Sequence, residues 1–322
     1  MAMVASRAGV SGQTVSRVVN GSPRVDPATR ARVEQAMGEL GYRPHRAARA
    51  LRTGRTHTIG LVVTTLATVG NSRMLQATAE AAERRGYALL VVTAAGNIAE
   101  AFERLQDQGV DGAIVLNEAS ALARTAQPAA GLRLVVVDGG RGDADSAFLS
   151  TVSSDHAGGA ATATLHLLHG PHKTVHHLAG PADSFAATER ERGWRETLQG
   201  AGVEAPQIVR GDWSAESGYA AASALDNATA VFCANDQMAL GLMRALSEQG
   251  TRVPEDVSVV GFDDVPDAAN YRPPLTTIRQ DFTALAEAAV AALIAGIEST
   301  SEVRAKQSVV QTRLVERSSD VR

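Results

Sequence analysis

The chain has 322 residues, more than one ordinary domain needs, and an apolar share of 44%, that of a soluble globular protein. No apolar run approaches a membrane span and no apolar signal region follows residues 1–7. Cys233 is the sole cysteine, which excludes an internal disulfide and thiolate zinc sites, so a reducing cytoplasm is expected. The net charge of −4 is unevenly spread: residues 1–58 hold ten arginines against Asp26, Glu34 and Glu39, a net +7, and the remainder carries −11. A basic head on an acidic body points to a small module that meets phosphate and a larger one with another task.

In the head, Gly9 can close one helix in the left-handed conformation and Ser11 can cap the next. At about 100° per residue, Gln13, Ser16, Arg17 and Asn20 fall on one side of that second helix, and Val15, Val18 and Val19 on the other. Two short helices joined by a tight turn read as a helix-turn-helix. Its polar face carries residue types that read DNA, arginine forking onto guanine and glutamine pairing with adenine. An ordinary amphipathic helix pair is the alternative on this stretch alone. Asp26-Pro27 predicts the start of a third helix, with Val33, Met37 and Leu40 as its apolar stripe and Gly41 at its end.

Residues 45–52 form an arginine-rich run that is helical by propensity, too short to be stable alone, and bears one large apolar residue, Leu51. One reading is a solvated connector. The other is a hinge helix that folds only when two copies meet on DNA, with Leu51 wedged into the minor groove.

From Thr58 the pattern changes to β-branched runs alternating with amphipathic helices, the signature of a parallel sheet covered on both faces. Strands are expected at 59–63, 88–92, 113–116 and 132–137, with helices at 74–85 and 98–108 between them. A second series follows, with helices at 156–169, 189–200, 214–225 and 237–249, and strands at 174–178, 208–209, 230–233 and 257–260. A long helix spans 282–297.

Ligands of open parallel sheets sit beyond the carboxyl ends of the strands. There the chain places Thr64, Thr65, Asn117, Asp138, Asn235, Asp236, Asp263 and Asp264, which can bond hydroxyls or serve as caps, Asp236 before the helix at 237 being a candidate cap. Five histidines cluster at 166, 169, 172, 176 and 177, but no carboxylate or cysteine stands at ligand spacing, and no metal is assigned. Gly139-Gly140-Arg141-Gly142 reads as a turn, and Trp194 as helix packing. No HExxH, GxSxG or Walker sequence occurs, and no activated nucleophile or paired acid and base is visible, so no enzyme and no cofactor is expected.

The run from Val10 to Gly21, the Gly41-Tyr42-Arg43-Pro44 turn and the Arg46-Ala47-Ala48-Arg49-Ala50-Leu51 segment resemble the lactose-repressor (LacI/GalR) family of bacterial regulators. So do the stretches at 211–219, 234–241 and 273–282, and Val260-Gly261-Phe262-Asp263-Asp264. Two departures stand out: the first helix lacks the family's Thr cap, and Gly12 stands where the lactose repressor has a base-reading tyrosine. The resemblance implies a small all-α helix-turn-helix domain at 1–44 and a hinge at 45–57. It also implies an α/β effector domain at 58–322, made of two doubly wound parallel-sheet halves like those of periplasmic sugar-binding proteins. The first half would take about 58–151 and 281–308, and the second about 152–280 and 309–322.

By the same resemblance, Ser11, Gln13, Thr14, Ser16, Arg17, Asn20, Arg46, Ala48 and Leu51 would meet DNA. Arg190, Asn235, Asp263, Asp138, Asn117 and Gln280 would hold hydroxyls of a ligand, with Trp213 against its apolar face and Phe282 lining the pocket. The expected protein is a sugar-responsive repressor that binds a palindromic operator and is released by a carbohydrate, in particular a galactoside. With no leucine heptad tail after residue 317, a homodimer is expected. Alternatives are a corepressor-type regulator of the same family, a sugar-metabolising α/β enzyme and a carrier protein.

Overall fold

Caps and a left-handed glycine divide the first 42 residues into three helices. In the computed structural model, which describes residues 1–19, 21–42, 54–94, 97–116, 132–139, 149–225, 227–299 and 306–321, α1 spans Ala2–Ala8 and starts without a side-chain cap. Gly9, at φ 65°, closes it. Ser11 Oγ accepts from the Thr14 N–H at 3.1 Å and opens α2, Gly12–Val19. Asp26 accepts from the Thr29 N–H at 2.9 Å and opens α3, Pro27–Glu39. Val4, Ala5, Ala8, Val15, Val18, Val33 and Ala36 form the small core of this unit. Leu40, expected in the apolar stripe of α3, is 38% exposed instead, because the helix stops at Glu39 and the backbone turns there; Ala36 takes the place.

The chain divides into two compact units, residues 1–56 and 57–322. The second is built from β1 (Thr58–Val63), α4 (Val69–Arg84), β2 (Ala88–Thr93), α5 (Ile98–Asp107), β3 (Gly112–Leu116), β4 (Arg133–Val137) and β5 (Leu149–Ser154). Then come α6 (His156–Leu168), β6 (His176–Ala179), α7 (Phe185–Gly200), β7 (Val209–Arg210), α8 (Ala215–Ala220), β8 (Ala230–Cys233), α9 (Asp236–Glu248) and β9 (Ser258–Asp263). The chain ends with β10 (Thr276–Arg279), α10 (Phe282–Glu298), β11 (Gln307–Val310) and β12 (Arg313–Val315).

Two sheets result, ordered β11-β5-β4-β3-β1-β2 and β12-β10-β9-β8-β6-β7. Their strands pair in parallel except β12, which runs antiparallel to β10 at the edge of the second sheet. In the first half α4 and α10 bury Met74, Leu285 and Leu293 against one face, and α5 buries Phe102 and Leu105 against the other. In the second half α9 contributes Met238 and Leu242 to one face, while α6 and α7 bring Leu167 and Trp194 to the other.

Several elements begin or cross elsewhere than the sequence led us to expect. The first half, which the resemblance carries to about 151, keeps the chain through Ser154, because β5 pairs with β11 to that residue. β11 keeps the chain in the first sheet through Val310, beside the crossing expected at about 308–309. α4 starts at Val69 rather than 74 because Thr68 Oγ1 caps it, and α7 at Phe185 rather than 189 because Ser184 does. The helix expected over 214–225 is α8 followed by a 3-10 turn at Ala221–Leu225.

Candidate functional site

In the first unit, α2 buries Val15 and Val18 and turns Gln13 and Arg17 to solvent, with Thr14 and Ser16 half-buried beside them. The Ser11 and Thr14 hydroxyls lie 3.0 Å apart, so Ser11 both caps the helix and braces its first turn. A Cβ on Gly12 would meet nothing within 4 Å, which leaves open space at the start of this face. Asn20, Arg46, Ala48 and Leu51 lie outside the described residues, as does Asn117 of the other unit.

In the second unit, seven of the residues singled out in the sequence line one cleft of about 480 Å³, part of it open to solvent: Asp138, Arg190, Trp213, Asn235, Asp263, Gln280 and Phe282. Arg190 projects from α7, and the others lie in or beside the segments that follow strands. Asp138 follows β4, Asn235 follows β8, Asp263 closes β9, and Gln280 and Phe282 bracket the crossing from β10 to α10.

Arg190 is the hub. It is 4% exposed and lies 3.8 Å over the Phe262 ring. Its Nη1 donates to the Ala234 carbonyl, its Nη2 reaches Asp263 Oδ1 at 3.5 Å, and its Nε reaches His156 Nδ1 at 3.3 Å. A guanidinium has only donors, so His156 Nδ1 accepts and Nε2 carries the proton, donating to Asp138 Oδ1 at 2.8 Å. Asp138 Oδ1 also accepts from the Ser154 N–H at 3.1 Å. The His156 ring thus joins a first-sheet carboxylate to a second-half arginine. It reaches Arg190 because Gly193, one turn on in α7, leaves room for the Ala157 carbonyl of α6 to pass where a Cβ would stand.

Asp263 accepts from Gln280 Nε2 at 2.6 Å. Burial raises its pKa, opposed by the charge of Arg190 and the Gln280 bond. Gln280, which lines the cleft, has its Oε1 buried without a partner among the described residues. Three cleft residues other than glycine have positive φ, Asp138 (52°), Trp213 (75°) and Asp263 (114°), as does Asp264 (51°) beside them. Such backbone costs about 1–3 kcal/mol per residue and gathers where a ligand is clamped.

The neighbours of these residues do other work. Asn235, not Asp236, caps α9, accepting from the Met238 N–H at 2.9 Å. Asp236 lies fully buried in the first turn, bonded by the Val265 N–H at 2.8 Å and the Thr277 hydroxyl at 2.5 Å. Asp264 is held by Arg279 and Arg317, and Thr65 caps the turn at Ala67. Sequence reasoning missed Thr68, Gly70, Met74, Ser184 and Ala186 in the cleft lining, and the role of His156. The Thr68 and Ser184 caps were the available signal for the first and fourth of these.

Three histidines of the run take structural partners. His166 bonds Asp320 at 2.6 Å, and His172 meets Thr229 and Ser258. His177 bonds the Phe232 carbonyl and stacks on its ring, and burial lowers its pKa to about 4. Trp194 is fully buried, its indole N–H on the Val175 carbonyl.

Residues 1–45 match the family described as bacterial regulatory proteins, lacI family, and residues 164–319 match the periplasmic binding protein-like domain. The chain is 38% identical to the HTH-type transcriptional regulator CelR of Thermobifida fusca, over 98% of this chain and 97% of that protein. It is 37% identical to the lactose operon repressor of Escherichia coli K12, over 90% of this chain and 82% of that protein. Among solved structures it is similar to the lac repressor dimer bound to operator and the anti-inducer ONPF, with 33% identity, a TM-score of 0.84, and coverage of 98% of this chain and 97% of that one. A CelR–cellobiose complex matches with a TM-score of 0.75 at 33% identity, covering 98% of each chain. The helix-turn-helix head, the paired α/β halves and these relatives agree: the chain is a transcriptional regulator rather than an enzyme, and it belongs to the lacI family of bacterial regulatory proteins.

Proposed function

We propose that this protein is a homodimeric, cytoplasmic repressor that leaves its operator when a carbohydrate, in particular a galactoside, enters the cleft around Arg190. The observation that carries the reading is the cleft itself. Charged and amide groups from both halves converge there, and the Trp213 and Phe282 rings flank them. A sugar ring presents hydroxyls around its rim and C–H bonds on one face. Arg190 and Asp263 supply paired donors and acceptors for adjacent hydroxyls, Gln280 Oε1 supplies a further acceptor, and the indole suits the C–H face.

On the DNA side, Gln13, Ser16 and Arg17 read bases, Ser11, Thr14 and Asn20 support that face, and the arginine-rich head meets phosphate. Arg46, Ala48 and Leu51 would act in the hinge, Leu51 as the minor-groove wedge. Dimeric binding implies a near-palindromic operator. The cellobiose complex of a relative makes a β-glucoside the competing effector.

The test is a gel-shift titration on fragments upstream of the protein's own gene, with lactose, cellobiose or no sugar, paired with calorimetry of the same sugars. We expect operator affinity to fall on adding lactose, by about tenfold or more. Release by cellobiose alone would replace the galactoside with a glucoside. Tightening by a ligand would make the protein a corepressor-type regulator, and indifference to every sugar would overturn the reading.

A further inference from the structure

We propose that Gly180 determines effector affinity by seating the Trp213 indole. The inference rests on the carbohydrate reading and adds a residue with no side chain to offer a ligand, whose carbonyl accepts from Arg210 Nη1 at 3.2 Å. Gly180 directly follows β6, and its φ lies outside the left-handed region that would by itself call for glycine. What it lacks is room. A Cβ there would lie 2.5 Å from Cζ2 and 2.7 Å from Cζ3 of Trp213, with Cη2 closer still. The far edge of the indole therefore rests directly on the Gly180 backbone.

The rest of Trp213 is fixed from other sides. Its φ of 75° is held by the Asn235 side chain, whose Nδ2 donates to the Trp213 carbonyl at 3.0 Å. The Arg190 guanidinium carbon lies 5.5 Å from its ring centroid. Asn235 Oδ1 is already committed to capping α9, so one amide ties the platform to the helix. An alanine at 180 displaces the ring from this seat, and the ring is part of the cleft lining where a sugar would lie. Gly180 is accordingly a positioning residue that acts through Trp213.

The full-length protein tests this with Gly180→Ala, Trp213→Ala and the double variant. Trp194 is fully buried, so the acrylamide-quenchable fluorescence reports on half-buried Trp213. In Gly180→Ala we expect quenching to rise and affinity for lactose or cellobiose, whichever the wild type binds, to fall about tenfold or more. In the Trp213→Ala background the same change should cost less than about twofold, because the clash is gone. Should Gly180→Ala fail to fold, the double variant should fold, since the ring is what obstructs the methyl group. Unchanged quenching, or an equal penalty with and without the ring, overturns the proposal. A wild type that binds neither sugar sinks the carbohydrate reading, while the quenching comparison still decides the seat.

Discussion

At the scale of single residues, the cleft floor concentrates buried carboxylates that serve different ends. Asp263 faces Arg190 and the cleft, whereas Asp236, one strand away, faces only the Val265 N–H and the Thr277 hydroxyl. Burial raises the pKa of Asp236 well above the usual carboxylate range, with the neighbouring Asp263 charge adding to it. The folded chain therefore holds this proton more tightly than the unfolded chain does. The stability this confers is present in acid and is lost as pH climbs above the ordinary carboxylate range towards the folded value. Asp236→Asn keeps both bonds, its amide oxygen accepting from Val265 and its N–H donating to the Thr277 oxygen, and removes the titration. Thermal unfolding of the two proteins should coincide near about pH 4, and the variant should melt a few degrees higher by about pH 8. A difference that does not change with pH would refute the assignment. The cleft lining was legible in sequence where a polar residue ends a strand, as at Asp263, and through the family resemblance, as at Arg190. It was illegible where one turn of register decided the role, as with the Asn235 cap mistaken for Asp236, and where a residue acts by having no side chain, as at Gly180.

At the scale of elements, helices were read through their caps and strands through their apolar runs, and the failures follow from that. Leu149-Ser150-Thr151-Val152-Ser153-Ser154 offers too few apolar residues to announce a strand, yet β5 is paired on both sides by β4 and β11. Its backbone ladder holds it, with Val152 alone of its apolar residues placed in the core of the first half. The recognition helix α2 shows the opposite case, since its two faces are sorted in the sequence itself. That sorting separates two kinds of variant. Gln13→Ala and Arg17→Ala remove exposed side chains and should leave the fold intact. Each should weaken operator binding by about 1–3 kcal/mol and relax preference at one base pair per half-site. Val15→Ala instead opens a gap in a core of seven buried residues and should destabilise the head by about 1–2 kcal/mol. Gel shifts against single-base operator variants, beside thermal melts, separate the outcomes. Uniform weakening across all operators by Gln13→Ala and Arg17→Ala would make these residues phosphate contacts rather than readers.

At the scale of the whole effector unit, the question is what couples the cleft to the two halves that form it. Two ties join α4 of the first half to the second half. The Val69 N–H donates to Gln237 Oε1 at 3.2 Å, and Arg73 Nη1 donates to the Asp264 carbonyl at 3.2 Å. The same guanidinium lies 4.8 Å over the Phe282 ring at the cleft wall. A clasp of this kind favours a closed cleft, and a ligand enclosed by both halves favours the same state. A ligand shifts an equilibrium only by its preference between states, so weakening the clasp should tax the ligand directly. Arg73→Leu keeps an apolar cover on Phe282 while deleting the tie. Sugar affinity should then fall about threefold to tenfold, and the sugar concentration that releases operator should rise by a similar factor. If the closed form is the one that leaves DNA, sugar-free operator affinity should hold steady or increase. Calorimetry and gel shifts on the same preparation measure both. A parallel fall in both affinities would assign the closed cleft to the DNA-bound form and overturn release by sugar.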